Sequence, residues 1–365
     1  MTSLTDNKRT AISLLIITIF LSTGCIEKNE EKSVTLIKMG GATMMTSMEA
    51  GTIDAMICWE PWNSLVFSEG IGEYLVNSSE IWPHHPCCIL AADYNWYEKV
   101  GEEKGDDILK RVALAHLRAN EWIDEALPKD SENHSKLLTY AKELTGKNES
   151  VIELANKNID FDYDLDLIGI KTYADKLMEY GLFESSKWEA SGYVSTDAYI
   201  NSIVERKYIS WAKEHEADTN LSLPEEISLR IGYLSADLHH LALFVAKEEG
   251  FFSDCNISVT LHDPFVNGAA EMQDGFKQDT IDIGYLGIAP ATIQGINAND
   301  FDKNDARIKV IASVNYDGTA IMVRKGIGIN SVKDLAGKRL AYPGPGTVQH
   351  FLLLMACEKS GIKAL

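Results

Sequence analysis

The chain has 365 residues, 45% of them hydrophobic and 24% charged, enough material for two globular lobes. Its formal charge of −20 argues against nucleic acid or an anionic membrane surface as a partner. An anionic ligand would have to be held by local geometry against the sign of the whole molecule.

Lys8 and Arg9 precede an apolar run, Ala11–Leu21, too short for an ordinary membrane span. Ser22-Thr-Gly-Cys25 then resembles a lipoprotein cleavage site with Cys25 as the lipid acceptor, although Ser22 stands where a Leu is usual. A cleaved secretory signal with an incidental Cys25 is the other reading. Both place the mature protein outside the cytoplasm, with residues 26–33 as a polar tether.

Val34–Met39 reads as a strand, and Gly41–Gly51 has the spacing of a helix. Thr52-Ile53-Asp54, the strand Ala55–Trp59 and Glu60-Pro61 follow. A helix over Pro61–Glu69 and a strand at Tyr74–Val76 lead to the breaker-rich crossover Ile81–Cys88, then a strand at Ile89–Asp93. Apolar positions between Asp106 and Leu127 fit a long amphipathic helix. Further helices are expected over Ser131–Leu144, Glu149–Asn156, Leu167–Tyr180 and Thr196–Lys213. Glu214–Glu226 is a linker by composition.

After it the pattern begins again. Leu229–Leu234 is a strand, Ser235–His240 a polar loop, Leu241–Glu249 a helix and Ile257–Leu261 a strand. A helical pattern over Gly268–Lys277 precedes Thr280-Ile281-Asp282, the strand-like run from Ile281 to Ile288 and a Gly/Pro loop ending at Pro290. Helix, T-I-D, strand and proline loop thus occur twice, which predicts two similar α/β lobes. In open α/β sheets ligands bind at the carboxyl ends of strands, where both loops fall. Strands at Ile308–Ser313, Ala320–Val323 and Arg339–Tyr342 follow, and Gly344-Pro-Gly346-Thr347 opens a helix over Val348–Ser360.

The segments GYLSADLHHLALFVAKEEGFF, DIGYLGIAPA, SVKDLAGKRLAYPGPGT and GTIDAMICWEPW together resemble the substrate-binding proteins of nitrate/sulfonate/taurine-type ABC transporters. Pyrimidine-precursor proteins of thiamine metabolism share that superfamily. The resemblance implies a two-lobe periplasmic-binding-protein fold, type II-like, closing on a ligand by hinge motion. In the family the stretch like Arg230–Ile362 comes first and the stretch like Val34–Val204 second; here the order is reversed. The chain is therefore expected to be a circular permutant, with a fragment of a tandem duplication as the rival account. One lobe is expected from residues 34–80 plus 331–365, the other from 81–213 plus 228–330. Residues 214–227 would join the ancestral termini, and the hinges would lie near Ile81–Cys88 and Gly326–Ser331.

The resemblance implies an extracytoplasmic, lipid-anchored, monomeric protein that passes a small solute to an ABC permease, without catalysis, cofactor or metal. Gly344, Gly346 and Thr347, entering a helix after a strand, offer free N–H groups and a positive dipole end to an anion; a tight turn with a threonine cap fits the same residues. Leu286, Gly287 and Ile288, and Ser235, Asp237 and His239, take equivalent positions in the other lobe. Gly41, Trp59 and Glu60 complete the candidate site with Tyr316 and Asp317, whose segment also reads as a plain turn. Asp237, His239 and His240 sit in one short loop without a recognisable metal-binding context. No arginine falls in these loops, so a neutral or zwitterionic heterocycle fits as well as nitrate or a sulfonate. Cys58, Cys87, Cys88, Cys255 and Cys357 have no CxxC pairing or zinc spacing; a disulfide involving Cys87 or Cys88 stays open. A pyrimidine-precursor synthase-like enzyme and an extracellular ligand-sensing module are the alternative functions.

Overall fold

The computed structural model describes residues 32–218, 225–266 and 268–365. The signal segment with Cys25 and the middle of the expected linker lie outside the described residues. In chain order the strands are β1 (Ser33–Lys38), β2 (Ala55–Trp59), β3 (Gly72–Asn77), β4 (Pro86–Asp93), β5 (Ile159–Asp160) and β6 (Ile227–Gly232). They continue as β7 (Ile257–Leu261), β8 (Ile283–Gly287), β9 (Ile308–Asp317), β10 (Thr319–Arg324), β11 (Arg339–Tyr342) and β12 (Lys363–Ala364).

These strands form two six-stranded sheets, ordered β12-β1-β11-β2-β10-β3 and β5-β9-β4-β8-β6-β7, one for each lobe of an α/β fold. The central strands β4 and β8 are buried along their whole length and carry continuous apolar runs, as strands covered on both faces must. Helices supply the cover. The longest, Glu102–Ala126, buries Ile108, Val112, Leu114, Leu117 and Ile123 along one side. The chain passes from the first sheet to the second between β3 and β4, and returns between β9 and β10. At the return, Asp317 and Gly318 both have positive φ, 57° and 85°.

The repeated T-I-D segments occupy matching places. In the first lobe Asp54 precedes β2, which lies between β11 (parallel) and β10 (antiparallel). In the second, Asp282 precedes β8, which lies between β6 (parallel) and β4 (antiparallel). The second lobe runs β6, helix, β7, helix, β8 without a break. In the first lobe the same path is assembled from both ends of the chain: β11, the helix Val348–Ser360 and β12, then β1, the helix Gly41–Glu49 and β2. β1 pairs in parallel with β11, Thr35 opposite Arg339, and with β12, Ser33 opposite Lys363. The N–H of Leu36 donates to the carbonyl of Leu365 at 2.7 Å.

Several expectations differ from the structure. The crossover expected over Ile81–Cys88 ends at Pro86, because Pro86–Asp93 is already strand β4, and it begins with a short helix, Ser78–Ile81. Thr319–Arg324, expected with the second lobe, pairs with β2 and β3 in the first, because Ala320, Ile321 and Met322 complete the apolar centre of that sheet. The return crossover therefore lies at Asp317–Thr319 and not at Gly326–Ser331. The helix expected over Thr196–Lys213 is two, Thr196–Ile203 and Lys207–Glu214, since Val204 leaves the helix to bridge Val310 and the N–H of Glu205 donates to the Val310 carbonyl. The Gly/Pro loop after β8 is instead the start of a helix, Ile288–Asn297, with Gly287 as its N-cap and Pro290 in the first turn, where a missing N–H costs nothing.

Candidate functional site

A cleft of about 460 Å³ opens between the lobes. Four helices begin on its wall. Gly40 and Thr347 from the first lobe, and Gly268 and Gly287 from the second, are their N-cap residues and all four line the cleft. The first N–H groups of a helix have no partner inside it and carry the positive end of its dipole. The three glycine caps have no side chain of their own to accept from those N–H groups. Thr347 differs: its hydroxyl donates to the Gly344 carbonyl at 2.9 Å and accepts from the His350 N–H at 3.2 Å. Its side chain is thus occupied as the helix cap.

Trp59 and Phe265 supply aromatic surface, and Ser235, Gln294 and Gln349 supply polar groups. Among the described residues Lys38 is the only lysine or arginine on the cleft wall. The site therefore favours a small solute rich in hydrogen-bond acceptors, held by backbone donors and without an arginine clamp.

At the base of the cleft lie Asp237, His239, Cys87 and Cys88. Asp237 Oδ1 is 2.9 Å from His239 Nδ1, and His240 lies on its other oxygen at 4.0 Å. Burial opposes the charge of Asp237, yet the two histidines hold its pKa below the usual carboxylate value. Burial likewise opposes a charge on His239, but Cys87 and Asp237 outweigh it and push its pKa up to about 9. His240, with less support, is pulled down to about 4 by burial. The contact with Cys88 holds Cys87 below an ordinary thiol, against the effect of burial.

The structure brings Ser235, Asp237, His239, Gly287, Gly344, Thr347 and Trp59 to one cleft. The remaining candidates fall elsewhere. Leu286 and Ile288 are buried in the second lobe. Tyr316 is buried too, its hydroxyl accepting from the Asp166 N–H and donating to the Asp164 carbonyl. Asp317 faces His85 in the crossover. Gly41 lies under Trp62, where a Cβ would stand 2.6 Å from the indole nitrogen. Gly346 donates its N–H to His350 Nδ1 at 3.1 Å. Glu60 is fully buried and bridges the lobes, accepting from Ser64 N at 3.1 Å, Tyr74 Oη at 3.2 Å and Asn158 Nδ2 at 2.7 Å.

Cys87 and Cys88, absent from the sequence-based site, are both on the cleft wall. A bulge puts them there: Pro86 pairs with Tyr316 but Cys88 with Asn315, so β4 gains a residue on β9. Their sulfurs lie 4.0 Å apart as free thiols, and the cysteines at 58, 255 and 357 are free and buried as well. Thiols next to Pro86 were the one available signal, but nothing in the sequence tells which loop they would meet.

Two sequence families match the chain: the NMT1-like family over residues 8–140 and the NMT1/THI5-like family over residues 237–364. The bicarbonate-binding protein CmpA of Synechococcus elongatus is 25% identical over 118 residues, 32% of this chain and 23% of CmpA. The nitrate import ATP-binding protein NrtC of Synechocystis sp. is 28% identical over 85 residues, 23% of this chain and 12% of NrtC. The chain thus spans less than a quarter of the length of these curated relatives. Among solved structures, the binding protein AgaA from A. tumefaciens R10, in complex with agropinic acid, superposes with a TM-score of 0.33 at 10% identity, over 79% of this chain and 54% of AgaA. The ABC transporter substrate-binding protein CtaP of Listeria monocytogenes gives 0.33 at 13% identity, over 78% and 53%.

Proposed function

We propose that this chain, which belongs to the NMT1/THI5-like families of nitrate/sulfonate/taurine-type substrate-binding proteins, captures a small solute in the interlobe cleft outside the cytoplasm and delivers it to an ABC permease. One observation carries the reading: four helix N-termini, two from each lobe, meet at a single cleft. Donors contributed by both lobes are satisfied together only when the lobes close on one ligand, which couples binding to closure. The crossovers at Asn77–Pro86 and Asp317–Thr319 are the two places where such a motion bends the chain. Nitrate, bicarbonate, taurine, alkanesulfonates and hydroxymethylpyrimidine all present the compact acceptor groups that this wall fits.

A thermal-shift screen of the protein against those compounds tests the reading. A ligand at about a hundred times its dissociation constant stabilises by about 2.7 kcal/mol, and one class is expected to do so. The second reading, a pyrimidine-precursor synthase-like enzyme, is favoured by Cys87 beside His239. Conversion of a bound compound by the pure protein would put it in place of the first.

We also infer that the segment order is a circular permutation. The support is the first lobe's repeat unit, assembled from residues near both ends of the chain, opposite an unbroken unit in the second lobe.

A further inference from the structure

The cleft holds a group of side chains that solute capture by helix N-termini does not use. The sulfurs of Cys87 and Cys88 and a ring nitrogen of His239 lie within 4.8 Å of one another, all three residues buried. They come from distant parts of the chain, the bulged start of β4 and the loop after β6. His239 is 1% exposed. Its Nδ1 is engaged by Asp237 at 2.9 Å, and its Nε2 has no hydrogen-bond partner. A buried ring nitrogen left without a partner is costly unless something not made of protein completes it. Beside that nitrogen is Gly318, where a Cβ would stand 2.0 Å away, so only a residue without a side chain leaves it clear.

We propose that Cys87, Cys88 and His239 bind a thiophilic transition-metal ion, of the class of Zn²⁺, Fe²⁺ or Cu⁺, on the wall of the cleft. Two sulfurs and an imidazole select such an ion over the hard cations Mg²⁺ and Ca²⁺, which require oxygen. The carboxylate behind the histidine is the arrangement that fixes the ring and its tautomer in metal sites, with Nδ1–H on Asp237 and Nε2 on the metal. Each thiol releases its proton to water as its thiolate bonds the ion. Three protein ligands leave a tetrahedral ion one open position, and the lining of the cleft by both cysteines turns it towards the solute space. The site stands on these residues alone, so it holds whether or not the solute reading does.

The test is a cobalt titration of the full chain, reduced, stripped with a chelator and given no solute. A single equivalent of Co²⁺ is expected to bind with an intense thiolate-to-cobalt band in the near ultraviolet, bleached by added Zn²⁺. Cys87→Ser and Cys88→Ser are each expected to lose the band, and Cys58→Ser to keep it. Asp237→Asn is expected to keep the band but to weaken uptake about 10–100-fold. Circular dichroism on every variant separates loss of metal from loss of fold, and the wild-type titration decides even if a variant does not fold. A folded, reduced wild type without the band, or Cys87→Ser retaining it, overturns the proposal.

Discussion

The carboxylate of Asp54 accepts a hydrogen bond from the backbone N–H of Arg339 at 2.9 Å, and Asp54 returns its own N–H to the Arg339 carbonyl at 2.9 Å. Asp282 makes the same pair of bonds with Arg230, both at 2.8 Å. Each aspartate thus locks the entry of one central strand to the strand parallel to it. In the second lobe the partners are 52 residues apart; in the first they are 285 apart. This doubled lock is the physical basis for treating the lobes as copies.

A rearranged gene tests the permutation directly. Joining Leu365 to Ser33 through a short flexible linker and opening the chain within residues 219–224 is expected to give a folded protein with an unchanged thermal midpoint. Linkers of this kind close short gaps at little entropic cost. A chain that fails to fold cooperatively would favour the tandem-fragment account.

Glu60 is expected to act through structure. Removing its carboxylate leaves the buried Ser64 N–H without an acceptor and Asn158 Nδ2 with only Tyr74 Oη at 3.3 Å, and a buried donor left unpaired costs about 1–3 kcal/mol. Glu60→Ala should therefore lower the urea midpoint strongly, and Glu60→Gln, which keeps one acceptor, should lower it less. Wild-type stability in Glu60→Ala would show that the lobes are not held through this side chain.

Much of the fold was legible in the sequence because it is written in local pattern: the doubled succession of helix, T-I-D and strand, and the extent of Val348–Ser360. The lobe to which Thr319–Arg324 belongs was not, since its apolar run fits the interior of either sheet and only long-range pairing decides. The helix at Ile288 was hidden because Gly287 and Pro290 read as breakers, although Gly at an N-cap and Pro in a first turn are compatible with a helix start. The loops of the site could be named from motif position. The cysteine pair could not, because its direction depends on a one-residue bulge in β4 and its partner His239 lies some 150 positions away.

Acid should destabilise the protein partly through His116. That ring is buried, with Nε2 at 2.8 Å from the Ser313 carbonyl and Nδ1 at 3.1 Å from Tyr285 Oη, and burial pulls its pKa from 6.5 to about 4. The folded state therefore binds fewer protons than the unfolded state between these values. The stability that His116 contributes is complete above pH 6.5 and is lost as the pH falls towards 4, an effect on the order of 3 kcal/mol. Urea unfolding across this window should show a shallower pH slope for His116→Gln than for wild type. Equal slopes would assign the acid sensitivity to other groups.

Gly318 is expected to tolerate no side chain. It holds φ at 85° in the return crossover and packs against His239. Gly318→Ala should destabilise the protein by more than about 1 kcal/mol and displace the imidazole, read by urea unfolding and by the His239 ring signals in NMR. An alanine variant with wild-type stability and an unmoved ring would contradict the packing described.

The central claim is that solute binds where the four helices begin, and Gly40 allows it to be tested without disturbing the fold. Gly40 lines the cleft, has an ordinary extended backbone at φ −79°, and a Cβ built there meets nothing within 4 Å. Gly40→Phe should fill the cleft and leave the thermal midpoint of the empty protein unchanged. Calorimetric titration of wild type and Gly40→Phe with the stabilising compound from the thermal-shift screen is the decisive measurement. A loss of affinity of at least about tenfold, roughly 1.4 kcal/mol, is expected in the variant. Wild-type affinity in a folded Gly40→Phe protein would place the binding site elsewhere.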